Sequence, residues 1–202
     1  MTKARCAWAA LFALGLFGCS GESLPTSHPT AETAEVGGWT HQASGGYHFL
    51  IPADFNGGIF GGAIDNRVTF TASRDAEGNV SGHWTYEQTD PAGTAYTFQG
   101  SVTCFRVHNT PVLQGFPNVP ARTGNRAKWG GPIERTNDPT VPVGTFAWFN
   151  SIDNGEGSVS PPDLSSIFGL GDEAANEAFC NSDAVPNPRF GPHPVEGNIQ
   201  VR

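Results

Sequence analysis

The chain has 202 residues, with 11 Lys and Arg against 19 Asp and Glu and a formal net charge of −8 at neutral pH. Nucleic acid is excluded as an expected partner, because binding to its phosphates rests on Lys and Arg and is opposed by an acidic surface. Glycine totals 26 and proline 16, so turns are frequent, and the length suits one ordinary folded domain with its own core.

Lys3 and Arg5 precede an uncharged apolar run over residues 7–17. That run is too short to span a bilayer as a mature helix. Together with Leu16-Phe17-Gly18-Cys19 it resembles a bacterial lipoprotein signal. The resemblance implies that residues 1–18 are a signal peptide and that Cys19 carries a diacylglycerol thioether as the first mature residue. A plain secretory signal is the alternative. Ser20, where an Asp would retain a lipoprotein at the inner membrane, implies the outer membrane if the cell has two. Of the 11 Lys and Arg, two lie within residues 1–18, so nine face 19 Asp and Glu beyond them, a balance of −10.

Residues 19–37 are rich in Ser, Thr, Pro, Glu and Ala and offer little to bury, which predicts a disordered tether with a reach of about 25 Å. Residues 38–202 show no further shift in composition and are expected to form a single β domain. Cys6 belongs to the signal and Cys19 to the lipid, which leaves Cys104 and Cys180. In an exported chain these two are expected to form a disulfide.

The first strong pattern is 66–73, where Val68, Phe70 and Ala72 alternate with Arg67, Thr69 and Thr71. After a turn-forming stretch, 80–86 repeats the alternation with Val80, Trp84 and Tyr86, so the two predict a β-hairpin. Residues 95–107 put Tyr96, Phe98, Val102 and Cys104 on one side, with Gly100 placed for a bulge or bend; the pattern sets Cys104 on the core face. Residues 143–151 are apolar on both faces, as a central strand would be. Shorter candidates are 47–51, 128–135, 164–168 and 198–201. Residues 172–180 are the one helical candidate, with Asp172 and Glu173 at the end where the dipole favours acids, and they lay Cys180 over the sheet beside Cys104. The expected fold is mainly β, an antiparallel sandwich or barrel with one short covering helix.

RVTFTA, SGHWTY, GSVTCF, then DNGEG with PPD shortly after, and GNIQV resemble in order a set of uncharacterised bacterial exported proteins with a small β domain. The resemblance spans about residues 43–202. It implies the architecture and the export and assigns no catalytic residue.

The chain lacks both G-x-S-x-G and H-E-x-x-H, which lowers the expectation of a serine hydrolase or a zinc protease. The glycines of NGGIFGG are followed by no Lys-Ser/Thr pair, so a phosphate loop is not expected there. His41 and His48 are an odd number apart and would leave a continuous strand on opposite faces, and His83 falls on the outward face of its strand. Glu87, Asp90, Asp153 and Glu156 are the candidate carboxylates for glycan hydrolysis. Trp84, Trp129 and Trp148 could stack on sugar rings but fit a core better; Trp129, between Lys128 and Gly130, is the one expected to be exposed.

Asp153, Asn154, Glu156 and Asp163 form the most acidic turn region. Their side chains with a backbone carbonyl approach the six to eight oxygens that calcium takes, but Gly155 stands where an EF-hand loop needs an oxygen ligand. A tight structural turn at Asn154-Gly155 without a cofactor is therefore the leading expectation, and a calcium site the alternative. The functional expectation is a lipid-anchored cell-envelope module, non-catalytic, that binds an envelope protein or glycan or supports the surface. Its alternative is an enzyme acting on an envelope glycan or polymer through carboxylates near Asp153 and Glu156.

Overall fold

Residues 39–108, 125–155, 160, 162–183 and 193–202 are described by a computed structural model. Period-two alternation builds most of it, because a strand sends successive side chains to opposite faces and one face can then be buried. Strands β1 (Trp39–Ile51), β2 (Ile64–Asp75), β3 (Val80–Thr89) and β4 (Ala95–Ser101) form an antiparallel meander. β5 (Cys104–His108), β6 (Asn125–Thr136), β7 (Phe146–Asp153), β8 (Leu164–Ser165) and β9 (Gly169–Gly171) follow. Helix α1 (Glu173–Asn181), β10 (His193–Pro194) and β11 (Glu196–Val201) come last.

The strands pair in the order β10-β8-β7-β6-β4-β3-β2-β1-β11, with β5 also against β6 and β9 also against β7. The two ends of that order are neighbours in sequence: β10 pairs with β8, β11 pairs with β1, and only Val195 separates them. One short segment thus bends the sheet round on itself, and the sheet is nearly closed into a barrel. Among the described residues the fold is mainly β with one short α-helix, as expected, and of the two architectures it is the barrel-like one. α1 begins where Asp172 Oδ1 accepts the Ala175 N–H at 2.8 Å, an N-cap that satisfies one of the helix's open donors.

The inward faces are filled by rings. Phe70, Trp129 and Phe149 form a three-ring stack with centroids 4.3 and 4.0 Å apart, and Trp84, Tyr86, Phe98 and Phe105 pack around it. Trp129 is fully buried, which corrects the expectation that it is exposed. It pairs in register with Phe105 and Phe149, so it shares their inward face. The polar appearance of its surroundings comes from Arg126, Lys128 and Gly130, which alternate onto the opposite face beneath α1.

The predicted run 95–107 is two strands. β4 ends at Ser101 and β5 begins at Cys104, and the ladder between β4 and β6 slips between Gln99 and Gly100, where a bulge was expected. The break shifts the alternation: Phe105 joins the core, while Cys104 turns to the outer face under α1. This corrects its expected core-facing placement, since alternation cannot be carried through a kink. Cys104 still meets Cys180 as expected, with Cα atoms 6.2 Å apart. At the bend a Cβ on Gly100 would overlap the Pro132 carbonyl oxygen and the Trp84 ring. Gly100→Ala is therefore expected to lose about 2 kcal/mol or more in urea unfolding, and an unchanged midpoint would show that the junction has slack.

Candidate functional site

The acidic turn region lies where the barrel closes. In the pairing of β1 with β11, Gln42 and Arg202 exchange backbone hydrogen bonds at 2.8 and 2.9 Å. By antiparallel alternation the N–H groups of Ile199 and Val201 then point away from β1, towards the seam. Among the described residues, no strand continues the ladder there. Two carboxylates take its place: Asp163 Oδ2 accepts the Ile199 N–H at 2.8 Å and Asp153 Oδ2 accepts the Val201 N–H at 2.9 Å. The remaining oxygens hold the turn itself, with Asn154 N donating to Asp163 Oδ1 at 2.9 Å and Gly155 N to Asp153 Oδ1 at 2.7 Å. Asn154 Nδ2 donates to the Pro162 carbonyl at 2.6 Å, and Val195 N donates to the Asp163 carbonyl at 3.0 Å. On the far side Asn125 Nδ2 donates to the Val201 carbonyl at 3.1 Å.

Each of these four carboxylate oxygens therefore faces a positively polarised N–H. The two carboxylates thus serve here as acceptors for backbone N–H groups. Gly155 has the positive φ expected, 88°. The turn is not a two-residue hairpin, however: β7 pairs with β8 through Ser151 with Ser165 and Ile152 with Leu164, so the connection covers 154–163. The Asn-Gly signal marks its first bend only. Glu156 lies outside the described residues, as do Cys19, the signal at 1–18 and the tether at 19–37.

The other candidate carboxylates sit on different elements. Glu87 is exposed on the outer face of β3, and Asp90 Oδ1 accepts the N–H groups of Ala92 and Thr94 in the β3–β4 turn. His83 is exposed, as expected, with Nδ1 3.1 Å from Thr71 Oγ1. His48 lies between Asp65 and Glu196 at 2.9 and 3.5 Å on the barrel's outside, and His41 is exposed. Trp84 is buried in the core, and Trp148 lies on the outer face of β7, its ring 6.0 Å from that of Phe179 on α1.

A polar group inside the barrel supports the ring stack. Trp129 Nε1 donates to Ser151 Oγ at 3.0 Å, and Tyr47 Oη is 2.8 Å from Ser165 Oγ. Burial pushes the Tyr47 phenol up to about 12, so it stays protonated.

Sequence reasoning missed a second polar assembly, between the sheet and α1. Neighbouring registers place His108 beside Arg126, and Arg106 and Asn150 on either side of Lys128. Lys128 Nζ donates to the carbonyls of Phe179 at 3.1 Å and Ser182 at 2.5 Å and lies 4.6 Å from the Phe179 ring centroid. Arg106 donates to the Asn181 carbonyl and Arg126 to that of Asp183, so three cations meet carbonyls at the negative end of the helix dipole. Burial lowers the Lys128 amine to about 8. Burial also lowers His108, with help from Arg126 and Lys128, against the opposing pull of Asp183 at 2.9 Å. The available signal was charge distribution: Arg106, Arg126 and Lys128 are three of the nine Lys and Arg beyond residue 18. No protein-family model, curated protein or solved structure matches the chain.

Proposed function

We propose that the protein is a lipid-anchored module of the bacterial cell envelope, at the outer membrane where there are two, whose β domain acts by binding or mechanical support rather than by catalysis. The observation that carries the non-catalytic part is the use made of Asp153 and Asp163. An acid–base pair in glycan hydrolysis needs carboxylates free to face a sugar from two sides, whereas these hold backbone N–H groups at the seam. Rings fill the inside of the barrel, which leaves its outer surface for contact with an envelope protein or glycan. The anchoring part rests on the basic start, the apolar run and Leu16-Phe17-Gly18-Cys19. Two or more acyl chains hold a protein stably at a membrane where one is marginal.

The test is mass spectrometry of protein purified from its own membranes, together with fractionation of Cys19→Ala. A diacylglyceryl Cys19 at the amino terminus, and loss of the variant from the membrane fraction, are expected. An unmodified amino terminus, or a variant that stays membrane-bound, would overturn the anchor.

A further inference from the structure

We propose that the covered face of β5, β6 and β7 beneath α1 is a binding site for a small oxyanion, a phosphate or a carboxylate, held by Arg126 and Asn150 beside the charge of Lys128. Arg126, Lys128 and Asn150 are each 0–1% exposed. Arg126 Nη2 donates to the Asp183 carbonyl at 3.1 Å, while Nε and Nη1 are buried with no acceptor among the described residues. Both side-chain polar atoms of Asn150, next to Lys128 in register, are likewise buried without a partner. Buried cations are ordinarily paired with anions, and buried N–H groups with acceptors. Among the described residues the hydrogen bonds of the two cations go to neutral carbonyls and the Ser182 hydroxyl, and Asp183, whose charge acts on both from a distance, is 80% exposed with its carboxylate on His108.

Residues 109–124 and 184–192, which lie outside the described residues, contain no Asp or Glu. Among the described residues, Asp183 is the one carboxylate whose charge acts on Arg126 and Lys128. An oxyanion supplies what is missing: acceptors for Arg126 Nε and Nη1 and Asn150 Nδ2, and negative charge between two cations. The same anion would reverse the depression of Lys128 and His108 that burial imposes. The site is independent of the anchoring and of the seam.

The experiment is thermal unfolding of the full-length protein in sodium phosphate, sodium acetate and sodium chloride at matched ionic strength. Near one hundred times Kd, the bound anion is expected to raise Tm by about 5 °C or more over chloride, and whichever salt does so identifies the oxyanion. Asn150→Asp places a carboxylate beside Lys128; it is expected to melt no lower than wild type and to lose the response. Arg126→Met is expected to lose it as well, and Asn150→Asp decides the matter if that variant does not fold. Equal Tm in all three salts would overturn the proposal. So would an Asn150→Asp protein that melts lower and still responds.

Discussion

Replacing Cys104 and Cys180 together by serine is expected to lower stability by about 4 kcal/mol and Tm by about 10 °C. The bond joins residues 76 apart, and constraining so long a loop removes much of the unfolded chain's freedom. The native-state loss adds to this at one place. Beyond the disulfide, α1 is tied to the sheet by Lys128, Arg106 and the Trp148–Phe179 contact, most of them at its C-terminal end. The double variant should therefore expose α1 to proteolysis before the barrel unfolds. A variant melting within about 2 °C of wild type would show that the bond adds little. Full thiol labelling of both residues in denatured, unreduced protein would show that it does not form.

Asp163→Asn is expected to cost about 3 kcal/mol in urea unfolding, and the double variant with Asp153→Asn more than either alone. Hydrogen bonds to a charged acceptor contribute about 1.5–3 kcal/mol each. Asp163 makes two from one carboxylate, to Asn154 N and Ile199 N. An asparagine keeps the shape but turns an NH2 donor towards one of those N–H groups, leaving it buried and unpaired. Asp153 serves Val201 in the same way one step along β11, so the two acids share one edge and their losses should couple. A double variant as stable as wild type would remove the seam from the account.

Where a pattern is local, the sequence carried it. Alternation in 66–73 and 80–86 is enough to specify β2 and β3, because each run has one apolar and one polar face. Asp172 marks the start of α1 through its side-chain oxygen. Gly100 marks the bulge because the backbone of β6 passes too close for a Cβ there. The departures share a different cause. Cys104 lies beyond a kink that resets the alternation, and Trp129 is surrounded in sequence by residues that belong to the strand's other face. The roles of Asp153 and Asp163 depend on β11 arriving from 36 or more residues away. Composition near Asn154-Gly155 shows acids and a bend but not which N–H groups they meet. The cation face beneath α1 was visible only as uneven charge along the chain, since burial of Arg and Lys has no local signature.

Amide hydrogen exchange at Ile199 and Val201 tests most directly whether two side-chain carboxylates hold these N–H groups at the seam. Both amides should be protected in the wild type, equally in calcium and in chelator. Asp163→Asn should raise exchange at Ile199, and Asp153→Asn at Val201, while Arg202, bonded to Gln42 at 2.8 Å, keeps its protection in each. Unchanged exchange at both positions in both variants, or wild-type protection that appears only with calcium, would contradict the account.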